Sequence, residues 1–171
     1  MQKMTSAYAN KMIRTLEEEK ALLLSKESDS CTYVAQVGEE PVIPEYDYAE
    51  VYGAIAAIDE KIAIIKHALN LSNAQAQIPV GDTVMSVDTI LIRMTQLNRR
   101  KAVLEEMRRR LPKARVEMHG YYGRNATPEY VYANYDVELA KQDYEILSRT
   151  IIDMQMALDQ YNQTVQFDVD I

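Results

Sequence analysis

Apolar residues return at alternating steps of three and four along two stretches of this chain. In the first, Tyr48, Val51, Ile55, Ile58, Ile62, Ile65 and Leu69 keep the rhythm; in the second, Val137, Ala140, Tyr144, Leu147, Ile151, Met154, Leu158 and Tyr161 do the same. Such spacing lays a single apolar seam along a helix, and a seam has to be covered by a partner helix. The pattern predicts long helices packed side by side, and by itself it predicts no chemistry. Val51, Ile55, Ile58, Ile62 and Ile65 on one helix, and Leu147, Ile151, Met154 and Leu158 on another, are the residues expected to carry helix–helix interaction.

The rest of the pattern predicts four helices, at about 6–27, 47–70, 87–111 and 136–162. Tyr8, Met12, Ile13, Leu16, Leu23 and Leu24 give the first its apolar face, interrupted by the solvated Glu17-Glu18-Glu19-Lys20 band. Asp47 is a good N-cap, and Glu50 three residues on completes a capping-box pattern. Ser86 and Asp136 suit the same role for the third and fourth helices, and Pro112 stops the third. The seam of that third helix, Ile90, Met94, Leu97, Lys101, Leu104, Arg108 and Leu111, carries two cations. Their stems are expected to snorkel along it, or their heads to meet acids on a neighbour.

Between the helices the signals weaken. Residues 32–37 are β-prone, Gly38-Glu39-Glu40-Pro41 reads as a turn, and Ile78-Pro79-Val80 precedes a turn at Gly81-Asp82. Val116, Met118 and Gly120-Tyr121-Tyr122-Gly123 form an irregular stretch before Tyr130-Val131-Tyr132. The tail, 164–171, alternates Val165, Phe167, Val169 and Ile171 with polar residues, which is the period of a strand. Its expected partners are segments 32–37, 78–84 or 115–119, or the tail of another subunit. Together these signals predict a single, mainly α domain over 1–171: four long helices as antiparallel hairpins, bundle-like or coiled-coil-like, with a small β patch.

Composition adds exclusions. The chain has 171 residues, a formal net charge of −7, twelve Tyr, one Phe and no Trp. That charge argues against whole-surface attraction to nucleic acid or anionic lipid. Cys31 is the sole cysteine, so no internal disulfide forms; it reads as a small buried side chain. The N-terminus shows no signal-peptide core, and no apolar run is long enough for a membrane helix. The expectation is a cytoplasmic protein without membrane contact.

One cluster stands apart. Arg93, Arg99, Arg100, Lys101, Arg108, Arg109, Arg110, Lys113 and Arg115 hold nine of the nineteen basic residues, opposed locally by Glu105 and Glu106 alone. Arg99, Arg100, Lys101, Arg108, Arg109 and Arg110 are candidate phosphate or nucleic-acid contacts, with Tyr121, Tyr122, Tyr130 and Tyr132 nearby as surfaces for bases. The competing reading neutralises them with acids such as Glu39, Glu40, Glu45, Asp47 and Glu50. No motif supports catalysis or a cofactor: two isolated histidines, His67 and His119, lack the Glu-x-x-His partners of a di-metal bundle, and the Gly120–Gly123 stretch lacks the Lys-Ser/Thr of a phosphate loop. Catalytic, cofactor and metal residues are all expected to be absent.

Several segments resemble a set of small uncharacterised bacterial proteins, some of them labelled septicolysin-like. The resemblance lies in Lys11–Lys20, Gly38-Glu39-Glu40-Pro41, Pro44–Tyr48, Ile58–Ile62, Ala68-Leu69-Asn70, Arg99-Arg100-Lys101, Met107–Pro112, Tyr132–Asp136 and Ala157–Asn162. It implies a helical protein of Gram-positive bacteria or their mobile elements, and brings no catalytic residues with it. The cytolysin label implies pore formation, for which the chain offers neither an export signal nor an amphipathic membrane segment. A non-enzymatic scaffold that self-associates through its seams is the expected function, with nucleic-acid binding through 93–115 and pore formation as the alternatives.

Overall fold

The computed structural model describes residues 1–116 and 127–171. The chain is mainly helical, with small antiparallel strand pairs. In order it runs β1 (Gln2–Thr5), α1 (Ser6–Ser30), α2 (Tyr48–Gln75), β2 (Gln77–Val80), β3 (Thr83–Ser86), α3 (Val87–Arg109), β4 (Lys113–Arg115), β5 (Tyr130–Tyr132), α4 (Val137–Thr164) and β6 (Gln166–Val169). The strands pair as β1–β6, β2–β3 and β4–β5. Two compact units divide the chain: one comprises Met1–Ile78 and Leu158–Ile171, the other Pro79–Ala157.

In the first unit α1 and α2 form an antiparallel hairpin. Thr5 caps α1 by accepting from the Tyr8 amide, and Asp47 caps α2 by accepting from the amides of Ala49 and Glu50. Met4, Ala9, Ile13, Ile58, Ile62, Ile65 and Val169 make the core, so the seam of α2 faces α1 and the paired terminal strands. Lys20 bonds Asp59 at 2.6 Å and Lys66 bonds Glu17 at 3.1 Å across the hairpin. Both pairs are solvated and contribute about 0.2–1 kcal/mol each. Near the connection the Tyr46 hydroxyl donates to Glu27 at 3.0 Å. Desolvation, then the hydrogen bond to Glu27 and its charge, pushes this phenol up to about 12.

The tail strand does form, but its partner is none of the expected ones. β6 pairs antiparallel with β1, in the register Gln2↔Val169 and Met4↔Phe167. Segment 32–37 is not a strand; it lies exposed in the connection between α1 and α2. α1 runs past the expected end at Glu27, and α2 past Asn70, because neither end carries a Gly or Pro to stop it. The turn at Gly81-Asp82 is in place, with Gly81 at φ +57°, a conformation that favours glycine.

In the second unit α3 and the part of α4 up to Ala157 run antiparallel, and β4 and β5 extend the hairpin beyond its helices. Lys113 pairs with Tyr132 and Arg115 with Tyr130 across the ribbon. Asp136 accepts from the amides of Glu138 and Leu139 at the start of α4. Ser86 sits at the N-cap of α3, but its hydroxyl is engaged by the Asp88 carboxylate and the Thr89 hydroxyl instead of a helix amide. Asp88 accepts the Thr89 amide at 2.7 Å. The hydrogen bonds from Ser86 and Thr89 hold the Asp88 carboxyl below its usual range. α3 ends at Arg109, short of the expected Leu111, and the Tyr135 hydroxyl donates to the Met107 carbonyl there.

Candidate functional site

The structure sorts the basic cluster into three kinds of residue. Lys101 and Arg108, the two seam cations, are half-buried and lie over the ring of Tyr144 on α4, at 5.4 and 4.0 Å from its centre. Arg108 also grips Glu105 through Nε at 2.7 Å and through a second nitrogen at 3.1 Å, and Arg109 pairs with the same carboxylate. The Arg108 hydrogen bond comes first among the causes that hold the Glu105 carboxyl at about 2, aided by a hydrogen bond from Tyr144 and the charges of both arginines against desolvation. Lys113 lies over Tyr130 at 4.2 Å and Tyr132 at 5.3 Å. These cations are neutralised or stacked within their own unit.

Arg99, Arg100, Arg110 and Arg115 are exposed, and among the described residues no carboxylate lies within ion-pair distance of them. They do not share one face. By helical periodicity Arg99 stands opposite the α3 seam and Arg100 lies on its flank, while Arg110 follows the helix end and Arg115 lies on β4. Arg100 lines a cleft of about 310 Å³ with Leu97 and Leu104 of α3 and Asp143, Ile146 and Leu147 of α4. Tyr121, Tyr122 and His119 lie outside the described residues.

Of the seam residues, Tyr48 is exposed at the start of α2. Val51, Ile58, Ile62, Ile65, Met154 and Leu158 are buried, and Ile55, Leu147 and Ile151 are half-buried. Cys31 corrects the sequence reading. It is exposed, because α1 continues to Ser30 and leaves this residue as its C-cap instead of placing it on the buried face. Among the described residues no group of three or more His, Cys, Asp or Glu side chains is arranged to hold a metal.

A second feature has no counterpart in the sequence reading. In the first unit the C-terminal half of α2 and the chain from Tyr161 onward enclose a cleft of about 600 Å³. Ile64, Ala68, Leu71, Val165 and Phe167 supply its apolar surface. The side chains of Ser72 and Tyr161 share a hydrogen bond of 2.7 Å; Tyr161 is buried and Ser72 half-buried. His67, Gln75, Asp168 and Asp170 are exposed and form the polar rim. Asp170 has the Met1 ammonium 3.8 Å away, with both groups in solvent. The tail that forms one wall was expected as a strand, but the sequence held no sign that it would lie against the end of α2.

No protein-family model matches the chain, and no curated protein matches it. The crystal structure of a functionally unknown conserved protein from Corynebacterium diphtheriae is similar, with a TM-score of 0.66 and 13% sequence identity over 98% of this chain and 100% of that one. At that identity the likeness shows the fold alone. Among the described residues no helix is long and apolar enough to cross a membrane.

Proposed function

We propose that this protein is a non-enzymatic helical scaffold that associates with further copies of itself in the cytoplasm. One observation carries the reading: the α3–α4 hairpin covers one stripe of each helix and leaves a second set of apolar side chains in water. Ile92, Val103, Leu139, Ile146, Ile152 and Met156 stand between 49% and 66% exposed. Two helices alone have no further layer to cover such residues, whereas a second copy does. Charge supports the same occupant. Residues 93–115 are strongly basic, while residues 27–50 hold seven carboxylates and no Lys or Arg. Two copies therefore offer each other opposite charge, which speeds and orients encounter. Light scattering across a range of protein concentrations is the test. A mass that rises to a multiple of one chain, and falls back in Ile146→Glu, supports the reading; a single-chain mass at about 100 μM overturns it.

Arg99, Arg100, Arg110 and Arg115, which meet no carboxylate among the described residues, favour a second reading, in which the basic run contacts phosphates. Filter retention of DNA and RNA across a salt series tests it. Absence of salt-sensitive retention removes it.

A further inference from the structure

We infer that residues 39–46, in the connection between α1 and α2, form a docking segment that seats on the α3–α4 hairpin of a second copy. The inference rests on self-association and names the two surfaces that meet. The segment belongs to no helix or strand. Pro41 and Pro44 fix φ at about −65° and hold the residues before them, Glu40 and Ile43, in extended backbone. Tyr46, bonded to Glu27, anchors its end. Val42 is 91% and Ile43 63% exposed, so two branched aliphatic side chains stand in water between acids. Glu39, Glu40 and Glu45 are exposed, and among the described residues no cation lies within ion-pair distance of them.

The α3–α4 hairpin offers the complement. Leu97, Ile146 and Leu147 give its cleft of about 310 Å³ an apolar surface for Val42 and Ile43, and Arg100 lines it from α3. Arg99, the neighbouring residue, is exposed as well, and both arginines meet no carboxylate among the described residues. Asp143 lines the cleft from α4 and repels an incoming carboxylate toward the arginines. Like charge decides which surface is the partner. Residues 93–115 carry nine cations against two acids, so two copies of this helix repel each other. The first unit, with fifteen Asp and Glu against seven Lys and Arg, repels its own kind for the same reason. An acidic segment on a basic hairpin is the pairing that both fields favour. The surfaces that meet are different, so each copy gives one segment and receives another.

Light scattering over a dilution series of the full chain tests the pairing with three variants. E39K/E40K/E45K sets cations against cations, and R99E/R100E sets acids against acids. Each alone is expected to weaken self-association about ten-fold or more. Mixed in equal amounts they restore both contacts: the lysine segment of the first meets the new glutamates of the second, and the native segment of the second meets the native arginines of the first. The mixture should return to within about three-fold of wild type. V42S/I43S, which keeps every charge, should weaken association about ten-fold through lost apolar burial. All the altered positions are exposed, and circular dichroism verifies that the variants fold. A wild-type chain that stays at single-chain mass overturns self-association and this inference together. Wild-type association that the three variants leave unchanged, or a mixture that associates no better than its components, overturns this inference and leaves self-association standing.

Discussion

Ile65 is the most informative position at which to perturb the fold. It is fully buried, on the α2 seam, within the core that Met4, Ile13, Ile58, Ile62 and Val169 complete. Ile65→Ala removes three carbons from this site. At about 0.8 kcal/mol for each, plus the cavity left behind, the loss is about 3–4 kcal/mol. Alanine is the better helix former, so a few tenths of a kcal/mol return through propensity. Urea denaturation followed by circular dichroism at 222 nm reads this as a fall in midpoint of about 1.5–2 M, for a slope near 2 kcal/mol per M. Ile152→Ala on α4 is the control: the side chain is 56% exposed, and its loss should change stability by no more than about 0.5 kcal/mol. A cost below about 1 kcal/mol for Ile65→Ala, or equal costs for the two variants, refutes the assignment of the heptad stripe to the core.

Two further expectations concern the polar interruption of the α3 seam. Tyr144→Leu should destabilise the second unit by about 1–2 kcal/mol in the same denaturation assay, despite making the seam more apolar, because it strips the ring from beneath Lys101 and Arg108. Glu105→Gln should matter only above strongly acidic pH. The folded carboxyl is held at about 2, below its unfolded value, so its stabilisation is present above about pH 4.5 and is lost as pH falls toward 2. Melting temperatures of wild type and Glu105→Gln should therefore converge across that window, and a gap that widens on acidification contradicts the assignment.

How much of this was legible depends on how many residues each signal spans. The seams of α2 and α4 repeat over seven or eight positions, and their burial follows the repeat from Val51 to Ile65 and from Met154 to Tyr161. β1 offers four residues, of which only Met4 is a buried apolar one, and four residues cannot display a period. β4 reads Lys-Ala-Arg and shows no apolar alternation; its pairing is written in cross-strand partners, Lys113 with Tyr132 and Arg115 with Tyr130. The cleft was invisible for a related reason. Its walls come from residues 64–76 and 161–170, and their meeting depends on the pairing of the two terminal strands. The basic run was conspicuous in sequence, yet spacing alone did not show that Glu105 and Tyr144 engage part of it.

That engagement explains why a seam tolerates charge at all. Lys101 and Arg108 are seven residues apart, so they occupy equivalent positions one heptad apart on α3, and both lie over a single residue of the opposing helix. Sliding α4 by one heptad would bring Ile151 or Val137 to the place of Tyr144 and replace an aromatic ring with an aliphatic side chain, while separating Tyr144 from Glu105. Two half-buried cations would then lose their shared surface, and the helices would pay the desolvation without the compensating contacts. An all-apolar seam would accept either register with little difference in energy. A polar group at one seam position is the device by which helical pairs select one alignment at a cost in raw stability. In this hairpin the Lys101–Tyr144–Arg108–Glu105 group makes that selection, and the aliphatic positions around it supply the cohesion.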